Sequence, residues 1–406
     1  RGRPEAWADE AEERIRSAIR TLTRGGGRVG VLLSGGVDSS LLTVLAAREG
    51  LDCVAYSVRF VGHPNEELER ARAVAAHVGI PHVVVDVTDA DIAASAEVVA
   101  SRFDQPIRHF HAFVLHRLID RAAEDVGTLL YGEAADTIFG SGLVLWLARY
   151  QRKRRLVEAL PRVVRAAAEA ALRNRRRGFL GRASRLVRWS TYECMLRMDL
   201  VSQVSDYRAA VPVMEDLPPL ADEVIRATEA LGVGWAEGRQ VTVLMAENRS
   251  HLDMVDRLAS RVGVMVRGPF LTPVVWELAR RLPTAMKWRG GMSKPVLKDV
   301  ACRHLPREVI LAPKLGFPTP ASRWLEGPLR PWLRLALRTG AHLEPYLDRA
   351  ALRGLTLAAD HQLLWSVASL EMLLSVLLEQ RGSEEGVREI LRRAQAGQGE
   401  RSGGEA

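Results

Sequence analysis

Cysteine is scarce in this 406-residue chain: Cys53, Cys194 and Cys302 stand far apart, form no C-x-x-C pair and leave an odd number. That excludes a disulfide framework and gives no zinc knuckle. It points to a reducing cytoplasm. Long apolar runs are missing as well. The richest stretch, Leu363 to Leu378, is interrupted by Ser366, Ser369, Glu371 and Ser375, so it reads as a buried helix rather than a membrane span. No signal-peptide pattern opens the chain. What is present is ordinary globular usage, 47% hydrophobic and 26% charged, which excludes a disordered or collagen-like protein. The length suits two or three domains, or one large α/β domain with additions.

Negative charge is what one segment lacks. Between Arg149 and Arg188 stand fourteen basic residues against Glu158 and Glu169, a local excess of twelve positive charges. The other 43 basic and 47 acidic residues leave the rest of the chain at −4, although the whole carries +8. The basic character is therefore local. Aromatic rings are few there, Tyr150, Phe179 and, just beyond, Trp189, fewer than stacking on single-stranded nucleic acid calls for. A solvated insertion or an electrostatic dock for an acidic partner fits better, and nucleic acid is disfavoured.

Helix and strand patterns alternate over the first 140 residues. Glu5 to Leu22 is helical, with Ile15, Ala18, Ile19 and Leu22 on one face. Apolar runs at 29–33, 53–58, 82–87 and 128–131 read as strands. Asn65 and Gly79 bracket one helix, and Thr88-Asp89 starts another. Such alternation predicts an α/β, doubly wound parallel sheet, with ligands beyond the carboxyl ends of the strands. After about Gly142 the periodicity is helical with little β alternation, which predicts a mostly helical C-terminal half. The expected divisions are an α/β core over 1–142, a basic helical insertion over 143–205, a helical region over 206–382 and a disordered tail over 383–406.

Leu33-Ser34-Gly35-Gly36-Val37-Asp38-Ser39-Ser40 sits between the first strand and its helix. Two glycines permit a tight turn and close backbone approach. Hydroxyls and the helix N-terminus add donors aimed at one point, so an anion belongs there. The stretch has neither the lysine nor the spacing of G-x-x-x-x-G-K-S/T, and it is not G-x-G-x-x-G. Asp38 beside a polyphosphate would repel it unless a cation intervened, which implies Mg²⁺.

These residues resemble the pyrophosphate loop of the N-type ATP pyrophosphatases. Gly132-Glu133-Ala134-Ala135-Asp136-Thr137-Ile138-Phe139-Gly140 resembles the G-E-G-S/A-D-E-x-F-G-G element of asparagine synthetases. Arg267-Gly268-Pro269-Phe270-Leu271 resembles their R-x-P-F-L-D element. Lys294-Pro295-Val296-Leu297-Lys298, Leu305-Pro306 and Pro313-Lys314-Leu315-Gly316-Phe317 resemble the later synthetase run. The resemblance, from about Glu5 to Glu379, implies the synthetase unit of the asparagine synthetase family, related to β-lactam synthetases and lasso-peptide cyclases. The fold it implies is adenine nucleotide α-hydrolase-like. It further implies that ATP is cleaved between its α and β phosphates, activating a substrate carboxylate that an amine or ammonia then attacks.

By this reading ATP and pyrophosphate are held by Leu33, Ser34, Gly35, Gly36, Asp38, Ser39, Ser40, Val58 and Gly132. Asp38 and Asp136 hold Mg²⁺, two carboxylates being enough for that ion. Glu133 serves as the base for the amine, and Lys314 as counter-charge for an oxyanion or pyrophosphate. Departures touch the acceptor side: Thr137 replaces an acid, Ala134 and Ala135 stand at small Gly/Ser positions, Thr272 replaces Asp, Lys298 replaces Arg, and Ala312 replaces Arg. They argue against assuming free aspartate and favour amidation in specialised metabolite or peptide biosynthesis. Plain asparagine synthesis is the alternative, then a nucleotide-binding homologue without catalysis, then a tRNA-adenylating pyrophosphatase. No glutaminase-type Cys precedes the loop; for a complete chain the expected nitrogen source is free ammonia, a substrate amine or a separate glutaminase subunit, and for a trimmed one the source stays open. The expected partners are a small-molecule or peptide carboxylate and an acidic protein. A homo-oligomer is compatible with the sequence, and no membrane is expected.

Overall fold

Successive side chains of each strand bury on opposite faces, and that alternation builds the core. The computed structural model describes residues 3–62, 65–172, 178–188, 248–313, 320–338, 341–348 and 357–396, with positions 226, 230, 238, 240, 243 and 244 besides. Strands β1 (Val29–Leu32), β2 (Cys53–Phe60), β3 (His82–Val87) and β4 (Thr128–Leu130) lie where the sequence places them. A fifth, β5 (Met265–Arg267), extends the sheet at β4. All are parallel, in the order β3-β2-β1-β4-β5. Helices α1 (Pro4–Leu22), α2 (Val37–Arg48) and α3 (Glu66–Val78) pack with Val29, Val31 and Leu33 on one face. Helices α4 (Asp89–Ala100) and α5 (His111–Ala123) pack with Leu32, Val54 and Tyr56 on the other. Both faces are covered, as a parallel sheet requires.

The caps follow the sequence signals. Asn65 accepts from the Leu68 amide at 3.1 Å, and Gly79 ends α3 at φ 77°. Thr88 and Asp91 cap α4 reciprocally. From β1 the chain winds outward through β2 to β3, then returns to add β4 and β5 on the other side. The reversal leaves a crevice between the carboxyl ends of β1 and β4, where ligands bind in open sheets of this kind.

Past β4 come a short α6 (Ala135–Phe139) and three helices carrying the basic stretch, α7 (Gly142–Glu158), α8 (Arg162–Leu172) and α9 (Gly178–Arg188). Arg154 on α7 donates to the carbonyl of Leu186 on α9 at 2.8 Å, and α8 buries none of its described residues. Residues 189–205 of the expected insertion lie outside the described part. The second half supplies α10 (Arg249–Ser260), α11 (Pro273–Arg281), α12 (Pro295–Ala301), α13 (Ala321–Glu326), α14 (Arg330–Leu337), α15 (Leu357–Leu378) and α16 (Glu384–Ala396). Helices α11 and α12 join the α1–α2 face, and α10 with α13 to α16 join the other.

Among the described residues one helix, α15, is long and apolar enough to cross a membrane by composition. Its Leu363, Leu364, Trp365, Val367 and Met372 are nonetheless packed in the core, and the Trp365 indole donates to the Ile107 carbonyl at 2.6 Å.

The expectation of a disordered tail is corrected for residues 384–396. Val387, Ile390 and Leu391 recur at helical spacing on α16 and are buried against α4 and α14. The glycines after residue 396 drew the sequence reading, but an apolar stripe orders once tertiary packing offers it a partner. Residues 397–406 lie outside the described part. Ile390→Ala removes a fully buried side chain, and chemical denaturation is expected to show a loss of about 2–4 kcal/mol. A change under 0.5 kcal/mol would contradict the docking.

Candidate active site

The loop after β1 is shaped by its own side chains. The Ser34 amide donates to Ser39 Oγ at 3.1 Å, the Gly36 amide donates to Ser34 Oγ at 3.3 Å, and the Ser39 hydroxyl donates to the Gly36 carbonyl at 3.2 Å. Gly35 adopts φ +82°, and a Cβ there would lie 2.1 Å from the Glu67 carbonyl oxygen of α3. Gly36 leads into α2, whose N-terminus faces the crevice. Gly132, after β4, approaches so closely that a Cβ would meet Asp38 and the Ser39 amide at 3.4 Å. The turn after β4 is therefore seated against the first turn of α2.

Asp38 and Asp136 converge from opposite sides of this crevice, as the sequence reading required. Between them lies Lys294, its Nζ 2.5 Å from Asp38 Oδ2 and 2.8 Å from Asp136 Oδ1. Burial disfavours its ammonium, but the two carboxylates outweigh that and hold its pKa above the ordinary lysine range. Lys294 precedes Pro295 at the start of α12 with φ 53°, a left-handed conformation costly for a side-chain-bearing residue. Lys298, one turn on, is pushed down by burial and then by the Lys294 charge. The point between the two carboxylates is taken here by the Lys294 ammonium, and two carboxylates are as many as Mg²⁺ ordinarily takes from a protein.

Glu133 faces a different set of partners. Asn248 Nδ2 donates to its Oε1 at 2.5 Å, and His251 Nδ1 lies 2.8 Å from its Oε2. Burial favours the protonated carboxyl, but His251, Asn248 and the Tyr131 hydroxyl together hold its pKa below the usual range. Thr137, the residue in place of the family's acid, donates its hydroxyl to Asn248 Oδ1 at 2.8 Å. It thereby fixes the amide that serves Glu133. Gln240 in turn donates to the Thr137 and Ile138 carbonyls. His251 Nε2 is hydrogen-bonded to His111 Nε2, and the His109 ring stacks on His111 at 5.1 Å. Burial, then the neighbouring imidazole of His251, lowers His109 to about 4 and His111 to about 3, so both rings are neutral near pH 7.

Two cavities open on these groups. One of about 380 Å³ is lined by Leu33, Ser34, Gly35, Gly36, Asp38, Ser39, Val58, Gly132 and Glu133, all anticipated, and also by Arg70, Lys294 and Lys298. Another, of about 270 Å³, is lined by Asp136, Thr137, Asn248 and His109, among others. Glu133, His111 and His251 border both. Ser40 does not join them: it is fully buried in α2 and lines neither cavity. Lys314 lies outside the described residues.

Sequence reasoning missed Lys294 as a site residue, although it heads a quoted motif. It also missed Asn248 and the three histidines. The His109-Phe110-His111 pair was visible in sequence, but nothing local tied it to His251.

Ala134 starts α6 at φ 67°, a conformation that glycine adopts without cost. Ala134→Gly is expected to raise stability by about 0.5–1 kcal/mol in chemical denaturation, relief of the left-handed strain exceeding glycine's entropic penalty.

The profile of the family described as Asparagine synthase matches residues 10–375, nearly the whole described fold. The chain belongs to the asparagine synthase family. A putative asparagine synthetase (glutamine-hydrolyzing) of Mycobacterium tuberculosis is 26% identical over 337 residues, covering 81% of this chain and 50% of that protein. Asparagine synthetase (glutamine-hydrolyzing) 1 of Bacillus subtilis is 24% identical over 336 residues, 80% of this chain and 51% of its own length. The chain thus spans about half the length of the curated relatives it matches. A solved NMN synthetase of Francisella tularensis aligns at TM-score 0.26 and 18% identity, over 35% of this chain and 62% of that one. In this chain the crevice between β1 and β4 is where the quoted motifs meet: the Ser34–Ser39 loop, the Glu133–Asp136 turn and the Lys294 segment.

Proposed function

We propose that this family member is an ATP-dependent amide-forming ligase. A substrate carboxylate attacks the α-phosphate of ATP, forming an acyl-adenylate as the α–β bond breaks and pyrophosphate leaves. An amine or ammonia then attacks the acyl carbon, AMP departs, and the amine loses a proton. The observation that carries the reading is the shared wall: Glu133, His111 and His251 border both the phosphate-loop cavity and the second cavity. One side suits the nucleotide and the other an acceptor, with the proton-accepting groups between.

Asp38 and Asp136 are the residues that would hold Mg²⁺, which supplies positive charge against phosphate oxygens when bound. The loop amides and the α2 N-terminus orient the leaving pyrophosphate, and Lys294 and Lys298 add cations on the same side. Leu33 and Val58 offer backbone and apolar surface to the adenosine. Positioning and charge stabilisation do most of the work.

The acceptor side supports a substrate other than free aspartate. Its described lining contains three histidines, Asn248, Thr137 and Val243 but no arginine or lysine. Among the described residues a free amino acid's α-carboxylate finds no arginine or lysine there, whereas a larger molecule or peptide whose α-carboxylate is already in an amide, its reacting carboxylate free, needs none.

The test is incubation with ATP, Mg²⁺, hydroxylamine or ammonium, and a panel containing aspartate, β-amino acids and short peptides. Pyrophosphate and AMP are expected only when a carboxylate is present, with a peptide or β-amino acid exceeding aspartate. Release of ADP and phosphate, or cleavage independent of any carboxylate, would sink the proposal.

A further inference from the structure

The Glu133–His251–His111 chain has an order that fixes the direction of proton flow. Glu133 Oε2 accepts from His251 Nδ1, since an ionised carboxylate has no proton to give. With His251 neutral, that places the lone pair on its Nε2. His111 Nε2 must then carry the proton shared between the two rings. His111 Nδ1 is left as the lone-pair end, and it makes no hydrogen bond among the described residues, while His111 borders both cavities. The Glu133 oxygens, by contrast, are already engaged by Asn248 and His251.

We infer that the amine's proton is taken by His111 Nδ1 rather than directly by Glu133, and that it is stored as charge on His251 with Glu133 as its counter-ion. The step balances. As the amine nitrogen bonds to the acyl carbon, its N–H bond breaks and the proton joins His111 Nδ1. The His111 Nε2 proton passes to His251 Nε2, leaving His111 neutral and His251 an imidazolium against the Glu133 carboxylate. AMP leaves with the electron pair of the acyl–oxygen bond. Later release of the proton to solvent resets the chain.

Several features agree with this assignment. His251 is the one ring of the three with a carboxylate contact among the described residues, so the charge is best held there. The low pKa values of His109 and His111 keep those rings from holding the proton themselves. Thr137 and Asn248 hold Glu133 in register, which gives the departure at Thr137 a purpose: a hydroxyl donor orients Asn248, where an acid would add a second negative charge beside Glu133. His251, acting through His111, is a positioning residue in this scheme. Tyr131, Asp136 and Arg108 are the other ionisable groups around the cluster.

This assignment rests on the ligase reading, and two measurements separate their fates. Long-range ¹H–¹⁵N NMR of the resting full chain at neutral pH reads the ring tautomers without turnover. It is expected to show His251 protonated at Nδ1 and His111 at Nε2. The reverse tautomers would overturn the relay whatever the enzyme catalyses. Second, with the panel carboxylate that gives pyrophosphate, amide formed per pyrophosphate from ammonium is expected to fall about 100-fold in His111→Ala. Exogenous imidazole should restore at least a tenth of it, a rescue that repair of a merely structural defect would not produce. His111→Ala with an undiminished amide-to-pyrophosphate ratio would overturn the relay and leave the ligase standing. Wild-type protein releasing no pyrophosphate with any carboxylate would overturn both the ligase and the relay's role in it. In that case the tautomers still report the hydrogen-bond path.

Discussion

Replacing Lys294 with methionine is expected to cost about 3 kcal/mol of stability without divalent cation and to abolish pyrophosphate release. Lys294 is 3% exposed and Asp38 17% exposed, so removing the ammonium takes a close cationic partner from a largely shielded carboxylate. Breaking one side of a buried pair costs about 3–5 kcal/mol, and the low end applies because the more exposed Asp136 can turn to water. Two further results would separate charge from packing. Millimolar Mg²⁺ should recover much of the lost stability in Lys294→Met, since a cation between Asp38 and Asp136 replaces the missing one. The double variant Lys294→Met/Asp38→Asn should be more stable than Lys294→Met alone, yet equally inactive. The sign of the pH effect follows from the raised pKa of Lys294. Its contribution is complete below the usual lysine range and fades only as the pH rises through the elevated folded-state value. Denaturation midpoints with and without Mg²⁺, and pyrophosphate release, check all of this. A Lys294→Met protein as stable as wild type would mean that the bridge holds no net charge together.

Gly35→Ala is expected to lower pyrophosphate release at least 100-fold. Glycine is required twice over at this position. Its φ of +82° is costly for alanine, by about 1–2 kcal/mol. More severely, the new Cβ would sit 2.1 Å from the Glu67 carbonyl, a backbone atom in α3 that no rotamer change can move aside. The loop must therefore separate from α3, and the amides aimed at pyrophosphate lose their alignment; misplacement by 1 Å costs about 100-fold. Gly36→Ala is the control. Gly36 has ordinary extended backbone, and its Cβ would meet Ser34 Oγ at 3.4 Å, so a milder loss is expected. Equal loss in both variants would mean that the contact with α3 is not the cause.

These two residues mark how much of the site was legible. Gly35 belongs to a contiguous run whose glycines, hydroxyls and acid speak for themselves, because turn, cap and anion chemistry are local. The caps at Asn65, Gly79 and Thr88 were legible for the same reason. Lys294 was not, although its motif was noticed, because its partner Asp38 is 256 positions away. His111 and His251 lie 140 positions apart and carry no shared local pattern. The strand β5 was hidden because Met265-Val266-Arg267 is no more than partly buried and ends in a charged residue, so it presents no apolar run. Ser40 was overread: its neighbour Ser39 turns to the loop, and one helical step of about 100° is enough to point Ser40 into the core.

The sequence by itself determined the strand–helix alternation, the phosphate loop and, through the order of its motifs, the family. Each depends on residues within a few positions of one another, where backbone geometry and periodicity leave little choice. Only the tertiary structure decided that Lys294 stands between two carboxylates, that three histidines line the wall beside Glu133, and that α16 docks rather than dangling. Those arrangements depend on how layers separated by 100 residues or more pack across the sheet, and packing is a property of the whole core.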